Sequence, residues 1–140
     1  MFAAMILGTG IDLVDIRRIE YSLLRFGERF ENRIFTPAEQ KYARKGKGDT
    51  RAIASIYAKR FAAKEACAKA LGTGFGQGVS WRDIEVIKND AGGVGINLSG
   101  AALKKLTALT PKGMKPQIFL SLTDEYPYAQ AQVMISGRHE

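Results

Sequence analysis

Cysteine is nearly missing from this 140-residue chain. Cys67 is the single one, which excludes an internal disulfide and a zinc site built on several thiolates. Histidine is as scarce: His139, at the ragged C-terminus, stands alone, so a histidine-based metal centre or catalytic triad lacks support. Acidic side chains are outnumbered, 14 Asp and Glu against 21 Lys and Arg, for a net charge of +7. That balance favours an acidic or phosphate-bearing partner. Nucleic acid, an anionic membrane and an acidic protein all qualify, and charge alone does not choose among them. No apolar run is long enough to cross a bilayer. The opening MFAAMIL passes straight into patterned sequence, with neither the basic leader nor the cleavage site of a signal peptide. Repeats, low-complexity tracts and domain linkers are also lacking. The expectation is a cytoplasmic protein whose residues 1–140 form one domain, its 46% hydrophobic content sufficient for a modest core.

What is present is organised around residues 57–74, YAKRFAAKEACAKALGTG. The stretch is alanine-rich, free of proline and internal glycine, and stops at Leu71-Gly72, which is how a good helix runs and ends. At about 100° per residue, Ile53, Ile56, Tyr57, Phe61, Ala68 and Leu71 fall on one stripe. Arg60 and Lys64 project from the middle of that stripe, with Glu65 and Lys69 just beyond its edge. Unpaired buried charge is costly, so the two cations either snorkel, pair with distant carboxylates, or face an anion. The glycine run GTGFGQG that follows at once makes an anion site worth pursuing.

From the N-terminus, residues 5–14 (MILGTGIDLV) predict a buried strand interrupted by Asp12. Period-2 alternation sets Asp12 on one face with Ile6, Gly8, Gly10 and Val14. Its carboxylate either caps the next helix and takes backbone N–H groups, or looks into open space left by the two glycines. Asp15 is a candidate N-cap for a helix over 16–30, with Ile19, Leu23, Phe26 and Phe30 as its apolar stripe. Arg18, Arg25 and Arg29 project within about 40° of one another on a different face. They form either a solvated basic face or, with Arg33, a dock for an acidic helix. Thr36, Pro37 and Glu39 spell a second helix start with a capping box. Residues 41–50 (KYARKGKGDT) read as a basic link, a solvated loop or else a phosphate clamp.

Beyond the glycine run, strands at 84–88 and 94–98 flank a turn-rich NDAGG and predict a hairpin. Ser99 caps a helix over 100–109, which TPKGMKP breaks. Ile118, Leu120 and Leu122 alternate with Phe119, Ser121 and Thr123, and Ala129, Ala131, Val133 and Ile135 with Gln130, Gln132 and Met134, giving two half-buried strands joined by a turn at 125–128. The order of elements indicates an α+β fold with an antiparallel sheet packed on the long central helix and a basic N-terminal helix.

Three carboxylates stand in apolar or small-residue settings: Asp12, Glu65 and Asp124. Carboxylates with nearby lysines and a glycine loop are the parts of a magnesium-assisted phosphate site. Hard Mg²⁺ takes one or two carboxylates and completes its shell with water and phosphate oxygens, while lysine balances phosphate charge. GTGFGQG is weak by itself, since glycines after a helix are more often a C-cap and turn, and it lacks P-loop order. A nucleic-acid module would need aromatics interleaved with the basic residues, and the late strands offer Phe119 and little else. A non-catalytic phosphate-binding domain would leave the separate acidic residues unexplained.

The segments GTGIDLVDIRRIE (8–20) and RFAAKEACAKALGTG (60–74), with SLTDEYPYAQAQV near the end, resemble the holo-[acyl-carrier-protein] synthases, the small bacterial-type 4′-phosphopantetheinyl transferases. The resemblance runs in order through nearly the whole chain. It implies transfer of 4′-phosphopantetheine from coenzyme A to a serine of apo-acyl carrier protein, in support of fatty acid biosynthesis, with neither nucleic acid nor membrane as partner. By position, Asp12 and Glu65 match the family's Mg²⁺ ligands and Lys69 a lysine near the transferred phosphate. Arg60, Lys64, Lys45 and Lys47 fall where coenzyme A phosphates are held, and Gly72, Thr73 and Gly74 open the coenzyme-binding turn. Arg18, Arg25 and Arg29 fall on the helix that docks the carrier protein. The family is trimeric, with active sites between subunits. One departure stands out: Asp124 occupies a position where many members have histidine, so a histidine base does not carry over.

Overall fold

The structure, a computed structural model, describes residues 4–45 and 48–139. Its main sheet is antiparallel, with strands β1 (Ala4–Asp15), β5 (Tyr128–His139) and β4 (Met114–Glu125) in the spatial order β1-β5-β4. The alternation read from the sequence sets the sheet's buried side. Ala129, Ala131, Val133 and Ile135 of β5 are all fully buried, and against them lies the central helix α4 (Thr50–Ala70). Two glycines of β1 let this helix come unusually near. A Cβ on Gly8 would collide with the carbonyl of Ala70, and one on Gly10 with the carbonyl of Ala66. The space beside Asp12 is therefore not open, as the glycines suggested; helix backbone fills it.

The helix is also buried on more than one stripe. Ala54, Ala58, Ala62, Ala63, Ala66 and Cys67 are inaccessible along with Tyr57, whose ring stacks on Phe35 with centroids 4.3 Å apart. Small side chains all round are what allow the sheet on one side and the N-terminal helices and a second sheet on the other. Helix α4 starts earlier than residue 57, because Asp49 accepts from the Ala52 N–H at 2.9 Å and caps the first turn.

Asp15 caps α1 (Ile16–Phe26) as expected, accepting from the Arg17 N–H. The expected continuous helix over 16–30 does not form. Gly27 takes φ 55°, a conformation that favours glycine, and the chain restarts as α2 (Glu28–Ile34). Thr36, Pro37 and Glu39 start α3 (Pro37–Arg44) with the capping box intact. The anticipated link thus gives up its first four residues to a helix. The hairpin strands β2 (Ile84–Lys88) and β3 (Val94–Leu98) and helix α5 (Gly100–Leu109) fall where the pattern puts them, although Ser99 caps by position without a side-chain bond. The fold is α+β, and no described helix is long and apolar enough to cross a membrane.

Candidate active site

Strand β1 presents Asp12 towards α4, and one helical turn of α4 presents Glu65 and Lys69 back to it. Lys69 Nζ donates to Asp12 Oδ1 at 3.1 Å and to the Ile11 carbonyl at 3.0 Å. Burial raises the Glu65 carboxyl above its ordinary 4.5; the charge of Asp12 raises it further and Lys69 pulls it back. Two carboxylates that feel each other, partly withdrawn from water, make a place for a small cation. Among the described residues no set of three His, Cys, Asp or Glu side chains converges. Two oxygen ligands with water and phosphate filling the rest suits Mg²⁺ rather than a metal needing a full protein cage, so the donor set fits the ion the family resemblance implies.

Lys64 does not belong to this cluster, which corrects the expectation that it meets coenzyme phosphate. Its side chain and that of Glu39 are both 0% exposed, and they form an ion pair at 2.8 Å. Lys64 Nζ also donates to the carbonyls of Trp81 and Ile84. The partner that a buried cation requires is a carboxylate 25 positions earlier, at the start of α3.

Arg60 answers differently. Only 4% exposed, it lays its guanidinium 4.1 Å from the Tyr42 ring centroid, and its Nε has no hydrogen-bond partner among the described residues. Burial pulls its pKa down, with Tyr42 and Glu39 opposing. Arg60 lines a cavity of about 260 Å³ with Tyr42, Lys59, Lys88, Gly93 and Asp124. Asp124 Oδ1 lies 3.6 Å from Lys59 Nζ. Register separates it from Asp12: Asp12 pairs with Ala131 and Ala131 with Leu122, two residues before Asp124 on the far strand. Across two ladders that is about 10 Å or more. Lys59, Tyr42 and Lys88 were not singled out from the sequence, and Tyr42 lay in what read as a link. Lys45, another expected coenzyme contact, is exposed at the end of α3, and Lys47 lies outside the described residues.

The glycine turn behaves as a helix cap. Gly72, at φ 83°, donates its N–H to the Lys69 carbonyl, and the N–H groups of Thr73 and Gly74 both go to the Ala68 carbonyl. Those three amides are therefore not aimed at an anion, and a helix C-terminus carries negative partial charge. The run is thus the C-cap and turn that glycines after a helix more often form. What the turn does offer is a ring platform: Phe75 stacks on Trp81 with centroids 3.7 Å apart, and Trp81 stacks on Phe61 at 4.9 Å.

The three arginines are exposed but not on one helix face. Arg18 and Arg25 lie on α1, whereas Arg29 follows the Gly27 break on α2, so the wheel arithmetic for a single helix does not apply. Arg29 and Arg33 instead line a cleft of about 390 Å³ with Phe26, Phe30 and Trp81. Tyr21, Leu24 and Phe26 are exposed beside the arginines, giving this side an apolar component that the basic pattern did not reveal.

Known proteins resemble this chain over nearly its whole length. A family model described as the 4′-phosphopantetheinyl transferase superfamily matches residues 8–130. The chain is 53% identical over 133 residues to a holo-[acyl-carrier-protein] synthase of Nitrobacter winogradskyi, covering 95% of this chain and 96% of that one. Its identity to the same-named protein of Beijerinckia indica is 58% over 133 residues, covering 95% and 92%. Among solved structures, the holo-(acyl-carrier-protein) synthase of Bacillus anthracis in complex with CoA (3′,5′-ADP) superposes with TM-score 0.73 at 35% identity, over 97% of this chain and 99% of the other. The Plasmodium yoelii acyl carrier protein synthase with ADP bound reaches TM-score 0.79 at 30% identity, over 96% and 97%. The matches span the strand, helix and turn that build the site, and the chain is an enzyme of the 4′-phosphopantetheinyl transferase superfamily.

Proposed function

We propose that this enzyme transfers 4′-phosphopantetheine from coenzyme A to a serine of apo-acyl carrier protein, releasing adenosine 3′,5′-bisphosphate. The observation that carries the reading is the convergence of Asp12, Glu65 and Lys69 across the β1–α4 contact. The serine Oγ forms a bond to the phosphorus that bears the pantetheine. The bond from that phosphorus to the bridging oxygen breaks, and the bisphosphate leaves with the electron pair. The serine proton passes to water or to a carboxylate. Asp12 and Glu65 would hold Mg²⁺, which when bound supplies positive charge to the pyrophosphate oxygens. Lys69, on the same turn as Glu65, offsets charge on the leaving group, and positioning and electrostatics dominate such transfers.

Arg60, lining a cavity with Lys59 and Lys88, is suited to another phosphate of the coenzyme. Asp124 belongs to that cavity through Lys59. Arg18 and Arg25, with Arg29 beyond the break, meet the acidic carrier protein by charge complementarity. We read the protein as one transferase domain acting in the cytoplasm, in support of fatty acid biosynthesis, and assembled as a homotrimer. Exposed Ile11, Leu13 and Phe119 on the outer side of the main sheet support the assembly.

The test is intact-mass spectrometry of apo-acyl carrier protein incubated with the enzyme, coenzyme A and Mg²⁺. A gain of one phosphopantetheine, abolished by chelator, supports the reading. No gain with several carrier proteins and a folded enzyme overturns it.

A further inference from the structure

Lys64 brings a charge into the centre of the protein and takes part in none of the roles above. Its ammonium has three protons and three acceptors: Glu39 Oε1 at 2.8 Å, the Trp81 carbonyl at 3.0 Å and the Ile84 carbonyl. Glu39 is committed in turn, accepting from the Thr36 N–H at 2.8 Å and the Val86 N–H at 2.9 Å. One buried nitrogen is thus the point where the first turn of α3, the middle of α4 and the segment entering β2 meet. Well-packed apolar side chains of similar volume often stabilise a fold as well as a buried ion pair does, so stability alone is a weak reason for this one.

Its connections suggest a stronger one. Lys64 adjoins Glu65 on α4, so fixing Lys64 fixes the rotation of the helix that aims Glu65 at Asp12. The Trp81 carbonyl belongs to the residue whose indole stacks on Phe75 and Phe61, at the far end of the glycine turn. The near end of that turn is held by the cap on α4. The Lys64–Trp81 bond is therefore the second anchor of residues 72–80, on the same helix as the first.

The geometry points to Lys64 as a positioning residue that, through Glu39 and the carbonyls of Trp81 and Ile84, sets the glycine turn against α4 and holds Glu65 in register with Asp12 for the transfer. This inference rests on the proposed function.

The chain's single tryptophan is Trp81, so its fluorescence reports the anchor directly and without any substrate. The test is the double variant Lys64→Met/Glu39→Gln, which removes both charges at similar volume and leaves an amide oxygen for the Val86 N–H. The expected result is a cooperatively unfolding protein with shifted Trp81 emission, kcat lowered roughly 10- to 100-fold by misplacement of the reacting groups, and an unchanged KM for carrier protein. A folded double variant with wild-type emission and wild-type kcat overturns the inference. Should the double variant fail to fold, Lys64→Gln carries the same test, since it keeps donors but is too short to span all three acceptors. Shifted emission with lowered kcat supports the anchor; wild-type values of both overturn it. Failure of the proposed function would show separately, as absence of transfer by the unaltered enzyme, and the emission readout would still decide whether Lys64 anchors the turn.

Discussion

Lys69 and Asp12 are 57 residues apart in the chain and 3.1 Å apart in space. The contact depends on Gly8 and Gly10, which bring the helix backbone onto the strand. It joins the cation to one carboxylate and leaves the other, Glu65, in a setting that resists ionisation.

That resistance has a sign. A carboxyl whose pKa is raised by folding contributes most to stability below its ordinary 4.5, and the contribution is lost as pH climbs through the folded value. At neutral pH and in chelator, Glu65→Gln should therefore unfold at a higher temperature than the unaltered enzyme, with the difference disappearing below pH 4.5. Added Mg²⁺ should raise the unaltered enzyme's midpoint by mass action and leave the variant's nearly unmoved, while turnover of the variant falls by about 100-fold or more. Calorimetry across pH with and without Mg²⁺ checks all three. A variant that is less stable at neutral pH, or that still responds to Mg²⁺, removes Glu65 from the cation site.

The close approach of β1 and α4 predicts unequal costs for two glycine substitutions. Gly10→Ala drives a methyl into the Ala66 carbonyl, which is backbone and cannot rotate away. The cost should be about 3 kcal/mol or more, a fall in midpoint of roughly 10 °C for a chain of this size. Gly72→Ala meets nothing within 4 Å and bears only the strain of φ 83°, about 1–2 kcal/mol. Thermal unfolding of the pair separates them. Equal losses would mean that β1 moves off the helix without penalty and that the contact does not set the site.

What could be read beforehand follows from how local each signal is. The alternation of Ala129, Ala131, Val133 and Ile135, the hairpin around NDAGG and the capping box at Thr36 are written in adjacent residues, and each formed as read. The break at Gly27 was hidden because a glycine inside a helical pattern is tolerated as often as not. The neighbours of Gly8 and Gly10 were misjudged because a missing side chain looks the same whether solvent or another backbone fills the gap. The partner of Lys64 was out of reach, since nothing near it in sequence points to Glu39. Asp12 stands out by strand alternation and Glu65 and Lys69 by helical spacing, each together with the family resemblance, whereas Tyr42, Lys59 and Lys88 carry no local mark of the cavity they share with Arg60. The family match also sets aside the nucleic-acid and non-catalytic readings that charge alone left open.

Docking should divide between the two helices. Arg18 lies on α1 in a cleft with Tyr21, Ile19 and Phe61, away from the Arg60 cavity. Arg18→Glu should raise KM for carrier protein about tenfold, mostly through weaker encounter at low salt, and leave KM for coenzyme A unchanged. Steady-state kinetics at low and high ionic strength measure both. A change confined to coenzyme A would place this arginine at the nucleotide rather than at the partner.

The outer side of the main sheet bears on the assembly. Ile11 and Leu13 of β1 are 55% and 61% exposed, and Phe119 of β4 is 49% exposed. Gln130 and Gln132 of β5 lie between the two strands by register. A sheet whose inner side is sealed by α4 and whose outer side shows such residues has area to bury against copies of itself. As the homotrimer proposed above, the enzyme should sediment at three times the 15.3 kDa chain mass. Ile11→Lys puts a charge into that contact without touching the buried side, so the variant should keep its circular dichroism and sediment as a single chain. If the sites lie between subunits, turnover falls with assembly and returns at enzyme concentrations that restore it. A monomeric variant with full turnover would show that each chain carries its whole site. An unaltered enzyme that sediments as one chain would remove the trimer.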